Sequence, residues 1–211
     1  MVKIKICGIT NLEDALAALF CGAHAIGFVF YKESSRYIDP VKAGNISRIL
    51  PRKLLKVGVF VNENEKKVKK IARLCVLDML QFHGDESAEY CNKFKGYKVI
   101  KAFRVKNTID LAKILEYKTK GYLFDTFLKT APGGTGRKFN WNFLKNIDKI
   151  KQPVFLSGGL TCANVVKAIN KLRPDWVDVS TAVESKPGKK DHKKILKFVN
   201  KCSFLNKKRK T

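Results

Sequence analysis

Short apolar runs recur along the chain, and stretches with helical periodicity lie between them. Each run holds five or six residues, and successive runs start more than 20 residues apart. That spacing leaves room for a crossover helix after every strand, which is typical of βα units in a parallel sheet. The eight predicted strands are residues 3–7, 25–30, 56–61, 77–81, 98–103, 121–125, 153–157 and 176–180.

The segments between the strands carry signals for helix starts. Thr10 with Glu13 predicts a capping box for a helix over residues 12–21, and Asp39 precedes Pro40 at the first position of the next helix. Further N-caps are predicted at Thr108, Thr161 and Asp191. The other predicted helices are residues 65–74, 87–94, 109–117, 141–147, 163–172 and 192–201.

Eight strands and eight helices within 211 residues predict an α/β fold, a single-domain (β/α)8 TIM barrel with few insertions. An open, doubly wound parallel sheet is the alternative, and the count of eight strands favours the barrel. No linker or change of composition divides the chain, so residues 1–202 are predicted to form the barrel domain. Residues 203–211 are expected to form a frayed basic tail.

Composition changes this picture only through charge. The chain has 43 Lys and Arg residues, of which eight are Arg, against 18 Asp and Glu residues, so its formal net charge is +25. Base-reading proteins rely on Arg for bidentate contacts to guanine. Because Lys dominates here and is scattered over every segment, we interpret most of it as solvated helix surface. The alternative is a positive field that attracts anionic small molecules or, without sequence specificity, nucleic acid.

The cysteine pattern bears on metal binding and on the cellular compartment. The chain has six Cys and three His residues, and no two cysteines are separated by two residues, which argues against a zinc site. It starts with an apolar alternation over residues 2–6 rather than with a signal peptide, and no membrane span is predicted. We therefore expect free thiols in a reducing cytoplasm.

Side chains that can carry chemistry follow the predicted strands at their carboxyl ends, where barrel enzymes place their active sites. Cys7 ends the first strand and Asp125 ends the sixth. A thiolate near cationic groups and a protonated carboxyl in a closed site can act as a base and an acid. Taken singly, Cys7 also suits a small buried apolar position and Asp125 a helix cap. Arg36 also suits an ordinary salt bridge, and His83 a structural role.

The last two strand ends indicate a phosphate site. Gly158 and Gly159 follow the seventh strand, and Ser180 and Thr181 follow the eighth. Glycines let the backbone approach an anion, and the loops after these two strands are the usual site in phosphate-binding barrels. A Gly-Gly pair by itself is more often a plain turn.

These strand ends, in this order, resemble the phosphoribosylanthranilate isomerase family of tryptophan biosynthesis, and the resemblance covers nearly the whole chain. The motifs that carry it are residues 5–10 (KICGIT), 27–30 (GFVF), 34–38 (SSRYI), 58–62 (GVFVN), 81–86 (QFHGDE), 124–126 (FDT), 133–136 (GGTG), 139–141 (FNW), 157–160 (SGGL), 164–165 (NV), 177–180 (VDVS), 183–185 (VES) and 187–188 (PG).

The resemblance implies an Amadori rearrangement that converts N-(5-phosphoribosyl)anthranilate, an aminoaldose, to the corresponding aminoketose, with no metal and no cofactor. It implies that Asp125 is the general acid that protonates the ribose ring oxygen. It also implies that Cys7, as a thiolate, is the general base that removes the proton from C2. Two different side chains suit this task, because one group must give a proton and another must take one.

The resemblance further implies which residues bind the substrate. Arg36 is expected to pair with the anthranilate carboxylate, for which a planar guanidinium is a bidentate match. Further site-lining residues are expected to be Gln81, His83 and Asp178. The phosphate is expected on backbone amides around Gly158, Gly159, Ser180 and Thr181. The implied partner is a small phosphorylated substrate, with no specific nucleic acid and no membrane, and the chain is expected as a monomer or a homodimer.

One departure from the family pattern is Thr181-Ala182, where Ser-Gly is common. If that glycine needs a positive φ or gives the closest approach to phosphate, Ala182 weakens binding; if the residue only begins a helix, Ala is harmless.

Two other functions stay open from the sequence. A nucleic-acid-binding module is indicated by charge alone and predicts binding that depends steeply on salt. A related sugar-phosphate isomerase of histidine biosynthesis, or a dual-substrate enzyme, resembles the same barrel but carries an aspartate where Cys7 stands, so Cys7 disfavours it.

Overall fold

The computed structural model describes residues 1–105, 108–125, 141–144 and 146–208, with side chains described up to residue 204. Eight parallel strands close into a barrel in chain order. The strands are β1 (Lys3–Cys7), β2 (Ala25–Val29), β3 (Leu55–Phe60), β4 (Met79–Phe82), β5 (Lys98–Arg104), β6 (Gly121–Asp125), β7 (Val154–Ser157) and β8 (Trp176–Val179). Strand β8 pairs with β1, where Ile4 lies opposite Val177, and this pairing closes the barrel. The prediction of a closed barrel is therefore confirmed, and the alternative of an open sheet is wrong.

Helices connect the strands around the outside of the barrel. They are α1 (Leu12–Phe20), α2 (Pro40–Ile49), α3 (Glu65–Leu74), α4 (Ala88–Asn92), α5 (Leu111–Leu115), α6 (Val165–Leu172) and α7 (His192–Lys208). Two 3₁₀ helices, Trp141–Leu144 and Ile147–Lys149, stand where a helix over residues 141–147 was predicted. After β8 the chain forms a hairpin of β9 (Glu184–Lys186) and β10 (Lys189–Lys190), which the sequence did not predict.

Some helix starts differ from the prediction. Asn11, not Thr10, caps α1, because its side chain accepts a 2.8 Å hydrogen bond from the backbone N–H of Asp14. Thr10 instead donates to a carbonyl in the β9–β10 turn. Helices α5 and α6 begin later than predicted, at Leu111 and Val165. The capping box predicted at Thr10 is therefore wrong.

The caps predicted at Asp39 and Asp191 are confirmed, since each carboxylate accepts backbone hydrogen bonds from the first turn of its helix. Helix α7 runs seven residues past the predicted end at Lys201 and reaches Lys208. The basic tail predicted for residues 203–211 therefore starts within this helix, and its separation from the barrel domain stays a prediction. Residues 209–211 lie outside the described part of the chain.

The core has two layers, because every strand is buried on both faces as expected in a parallel barrel. The larger apolar cluster fills the space between the strands and the helices. A smaller cluster near the amino ends of the strands fills the barrel interior with Ala25, Val57, Met79, Ile100, Ala102, Leu123, Phe155 and Trp176. Above it, Cys7 packs with Val29 and Val59 at the floor of a cavity.

Four lysines lie in the interior, although the sequence predicted a solvated helix surface for most lysines of the chain. Lys5, Lys56, Lys101 and Lys190 are at most 4% exposed. Each donates to a carboxylate at 2.7–2.9 Å, which offsets part of the cost of burying an ammonium. All six cysteines are free thiols, as predicted. Among the described helices, none is both long and apolar enough to cross a membrane.

Candidate active site

A cavity of about 580 Å³ opens at the carboxyl ends of the strands. All ten residues that the sequence predicted for the site line it: Cys7, Arg36, Gln81, His83, Asp125, Gly158, Gly159, Asp178, Ser180 and Thr181. They come from six different strand ends, so the parallel topology brings them together at one mouth. The predicted loop positions Thr126 and residues 132–136 lie outside the described part of the chain.

Cys7 ends β1 and is only 9% exposed. The chain turns sharply after it, because Gly8 takes a φ of +78° and the N–H groups of Gly8 and Ile9 both donate to the carbonyl of Gly27 at 2.9 Å. A β-carbon on Gly8 would lie 2.7 Å from Cδ of Arg36, so glycine is needed here for space as well as for conformation. Burial raises the pKa of the Cys7 thiol, and the nearby Lys5 ammonium acts in the opposite direction.

Asp178 is held from two sides at the floor of the cavity. Lys5 Nζ donates to its Oδ1 at 2.9 Å, and Ser157 Oγ donates to its Oδ2 at 3.4 Å. Asp178 lines the cavity as predicted, but its carboxylate already serves the buried Lys5. Asp178 is therefore a counter-charge for Lys5, and its contact with the substrate stays a prediction.

Gln81, His83 and Asp125 form a chain of side chains along one wall. Gln81 Nε2 lies 3.0 Å from Nδ1 of His83, and Nε2 of His83 lies 3.2 Å from Oδ2 of Asp125. Because the Gln81 amide nitrogen can only donate, Nδ1 must accept, and the ring proton of a neutral His83 is assigned to Nε2. His83 therefore points an N–H at Asp125.

A buried ion pair anchors the loop that carries His83. Lys101 Nζ donates to Oε2 of Glu86 and to the carbonyl of Gly84, both at 2.7 Å. Glu86 also accepts backbone N–H bonds from Gly84 and Asn62. The loop after β4, which carries His83, is thereby tied to β5 through Lys101 and to the segment after β3 through Asn62.

Arg36 is held by an acidic residue that the sequence did not single out as a site residue. Its Nε and Nη2 donate to the two carboxylate oxygens of Glu184 at 2.8 and 2.7 Å, and Nη2 also donates to Thr181 at 3.1 Å. Lys190 donates to the same carboxylate at 2.9 Å. Burial opposes the charged form of Glu184, yet the hydrogen bonds from Arg36 and Lys190 outweigh it and hold the pKa of Glu184 below its ordinary value.

The loop after β7 carries two glycines in a left-handed backbone conformation. Gly158 and Gly159 have φ of +85° and +63°, a left-handed conformation that favours glycine, and successive residues in such turns point their N–H groups into one concavity. Asn164 fastens the loop, because it donates to the carbonyl of Gly159 and accepts from the N–H of Thr161, both at 2.8 Å. Helix α6 begins directly afterwards at Val165.

The loop after β8 completes this wall. Residues Thr181–Val183 form a single 3₁₀ turn, so Ala182 lies in ordinary helical backbone, and it is not among the described residues with a positive φ. The replacement of glycine by Ala182 is therefore free of backbone strain. Behind the loop, Lys190 Nζ lies 3.3 Å from both Oγ and the carbonyl oxygen of Ser180.

Sequence reasoning missed Lys5, Glu184, Lys190 and Asn164 as parts of the site. For Lys5 a signal existed, since strand alternation places it on the same face as Cys7. Glu184 and Lys190 sit in the unpredicted hairpin, so nothing local indicated that they reach the cavity wall. Among the described residues, no group of three or more His, Cys, Asp or Glu side chains could hold a metal ion.

Comparison with known proteins gives one concordant result. A profile of the family described as N-(5'-phosphoribosyl)anthranilate (PRA) isomerase matches residues 4–201. The N-(5'-phosphoribosyl)anthranilate isomerase of Trichlorobacter lovleyi is 46% identical over 199 residues, which cover 94% of this chain and 97% of the relative. The crystal structure of phosphoribosyl anthranilate isomerase from Thermotoga maritima is 45% identical, with a TM-score of 0.90 over 97% of this chain and 100% of that one.

A second crystal structure of a phosphoribosyl anthranilate isomerase holds reduced 1-(o-carboxyphenylamino)-1-deoxyribulose 5-phosphate. It is 43% identical to this chain, with a TM-score of 0.87, and the match covers 97% of this chain and 100% of that one.

Proposed function

The chain belongs to the N-(5'-phosphoribosyl)anthranilate isomerase family, and from this membership we infer that it converts N-(5-phosphoribosyl)anthranilate to 1-(2-carboxyphenylamino)-1-deoxyribulose 5-phosphate. The reaction is an Amadori rearrangement on the path to tryptophan. The assignment of roles rests on one observation. Cys7 and Asp125 come from strands that are not neighbours in the barrel, yet both line the same cavity as the glycine loop after β7.

Asp125 acts first, as the general acid. It gives its proton to the ribose ring oxygen while the C1–O bond breaks and the anthranilate nitrogen becomes a protonated Schiff base. The N–H of His83, 3.2 Å away, then stabilises the carboxylate that this step creates. His83 therefore supports proton release by Asp125 without giving up its own proton.

Cys7 acts second, as the general base. Its thiolate removes the proton from C2, and the electron pair of the C–H bond moves into the C1–C2 bond to neutralise the iminium nitrogen. The product of this step is an enolamine, which tautomerises to the ketone. Cys7 is then protonated and Asp125 ionised, so one proton must leave Cys7 and one must reach Asp125 before the next turnover.

The two ends of the substrate meet different kinds of group. Glu184 and Thr181 occupy the Nε and Nη2 donors of Arg36, and Nη1 has no hydrogen bond to any described residue, so the substrate carboxylate is bound at Nη1. The phosphate rests on the N–H groups around Gly158, Gly159, Ser180 and Thr181, close to the start of α6. Anion contacts at both ends leave the ribose carbons between the acid and the base.

Six free thiols support a reducing compartment, and we place the enzyme in the cytoplasm. The described site residues all come from one barrel, so the chemistry proposed for them operates equally in a monomer and in a homodimer.

Rescue of a tryptophan auxotroph that lacks this step tests the function, and turnover of the purified protein tests the roles. Cys7→Ala and Asp125→Asn should each abolish rescue and lower kcat by at least about a hundredfold, the range for loss of a general acid or base. Cys202→Ala is the matched control, because Cys202 is a buried thiol remote from the cavity, and it should rescue growth. Full activity of either site variant would contradict its role, and failure of the unaltered chain to rescue would contradict the function.

A further inference from the structure

A buried ion pair lies directly beneath the proposed base. Lys5 Nζ is 2.9 Å from Oδ1 of Asp178, and the side chains are 0% and 5% exposed. Lys5 precedes Cys7 by two residues in β1, so strand alternation places both on the inner face of the barrel. Buried ion pairs are often no more stabilising than an apolar pair of similar volume. Packing alone therefore gives little reason for an ammonium at this position.

The space between Lys5 and Cys7 exists because position 27 is a glycine. Gly27 lies opposite Cys7 in the β1–β2 register. A β-carbon at this position would lie 2.7 Å from Sγ of Cys7 and 3.3 Å from Cε of Lys5. The sulfur and the end of the lysine stem thus converge on one small volume.

Four charged groups face Cys7, each from a different segment. They are Lys5 on β1, Asp178 on β8, Lys190 on β10 and Arg36 after β2. Lys190 and Arg36 are both bound to Glu184, which neutralises part of their charge. Lys5 is the cation that acts most strongly on the Cys7 thiol, and it favours the thiolate.

The protonation state of Lys5 suits an electrostatic role. Burial works against its ammonium, but Asp178 and Cys7 outweigh burial and raise the pKa of Lys5 above its ordinary value. For the Cys7 thiol, the effect of burial dominates. It raises the pKa of Cys7 and disfavours the thiolate. A permanent cation next to the sulfur relieves that difficulty.

We propose that Lys5 is a positioning residue for Cys7, whose ammonium orients the sulfur toward the cavity and stabilises its thiolate, with Asp178 as the counter-charge that keeps Lys5 in place. This inference rests on the proposed function, in which Cys7 is the base. Lys5 itself touches no reacting atom and transfers no proton.

The test measures the thiolate without any turnover. The rate of alkylation of Cys7 by iodoacetamide is followed from about pH 6 to pH 10 by mass spectrometry of the peptide that contains it, because the thiolate is the nucleophile. Lys5→Gln keeps a hydrogen-bonding side chain, one atom shorter than lysine, but removes the charge. Loss of a neighbouring opposite charge shifts a pKa by roughly one unit or more, so the rate at neutral pH should fall about tenfold. Lys5→Arg should restore most of it.

Two further variants separate the proposal from a structural effect. Lys56→Gln removes another buried lysine that is paired with a carboxylate, and it should leave the Cys7 alkylation rate unchanged. Lys5→Met with Asp178→Leu replaces the pair by apolar side chains and should still lower the rate, since Lys5 acts more strongly on Cys7 than Asp178 does. This double variant decides the matter if Lys5→Gln does not fold.

The outcomes are distinct. A lower alkylation rate in the Lys5→Gln protein, with recovery in Lys5→Arg, supports the proposal. An unchanged rate, or a faster rate caused by loosening around Cys7, overturns it. Failure of the proposed function shows separately, as lack of rescue by the unaltered chain, and failure of the role proposed for Cys7 shows as turnover in the Cys7→Ala enzyme, because the alkylation assay contains no substrate.

Discussion

Arg36 donates two parallel hydrogen bonds to Glu184, at 2.8 Å from Nε and 2.7 Å from Nη2. The Glu184 side chain is 4% exposed, whereas that of Arg36 keeps 24% exposure at the cavity wall. A buried carboxylate thus fixes the plane of a guanidinium that lines the cavity. Glu184 in turn is held by Lys190, so the orientation of Arg36 depends on the hairpin that follows β8.

Glu184→Gln should therefore weaken substrate binding more than chemistry. The variant keeps the shape of the side chain but removes the charge that aligns Arg36, and a hydrogen bond to a charged group contributes about 1.5–3 kcal/mol. We expect KM to rise about tenfold or more, with a much smaller change in kcat, because Arg36 is proposed to contact a part of the substrate that does not react. Steady-state kinetics measures this, with Glu65→Gln at a partly exposed position on α3 as control. An unchanged KM would show that Glu184 does not act through Arg36.

Replacement of His83 by Ala should lower kcat, because the carboxylate left on Asp125 after proton transfer loses a hydrogen-bond donor. We expect a fall of about tenfold to a hundredfold, below the full effect of removing the acid itself. Gln81→Leu should act in the same direction but less, since Gln81 reaches Asp125 only through the imidazole. In a double-mutant cycle, the two changes together should cost no more than His83→Ala alone. Additive losses would rule out a shared path through His83.

The pH dependence of turnover should show the buried state of Cys7. A base acts in its deprotonated form, and below its pKa the thiolate fraction rises about tenfold for each pH unit. Because burial raises the pKa of Cys7, the residual kcat/KM of the Asp125→Asn variant, in which the acid no longer titrates, should keep increasing with pH beyond the ordinary value for a thiol. The profile is measured over the pH range in which the fold is intact by circular dichroism. A plateau that begins at neutral pH would contradict this, because it would mean that Lys5 lowers the pKa of Cys7 in the free enzyme more than burial raises it.

Gly27→Ala should damage activity beyond its effect on stability. The added methyl would lie 2.7 Å from Sγ of Cys7, so the sulfur must move away from its position beside Lys5. We expect kcat/KM to fall at least about tenfold, since a displacement near 1 Å in an active site can cost a hundredfold.

Gly121→Ala is the matched control for that variant. Its methyl would meet Phe155 at 3.1 Å, inside the barrel but among the apolar residues near the amino ends of the strands. Urea unfolding should show a loss of stability in both variants. Only Gly27→Ala should also lose activity, because only that variant displaces the Cys7 thiol. Equal activity losses would indicate a general effect of distorting the barrel.

The fold followed from local patterns, because each strand of a parallel barrel is buried on both faces and stands out as a short apolar run. The same logic located Cys7, Asp125 and Gly158, since parallel strands bring their carboxyl ends to one mouth. Helix starts were less predictable. Asn11 and Thr10 are adjacent and both can cap a helix, and the choice between them depended on the β9–β10 turn to which Thr10 donates.

The roles of the charged residues were decided by tertiary structure. In a sequence of net charge +25, nothing distinguishes Lys5, Lys101 and Lys190 from the many other lysines. The folded chain nevertheless buries each of them against a carboxylate from another segment. Periodicity is a local property and can be read along the chain, whereas the desolvation of an ammonium and the partner that compensates it depend on contacts between residues as far apart as Lys5 and Asp178. The apolar pattern therefore sufficed for the barrel, and only its closure determined which charges surround Cys7 and Arg36.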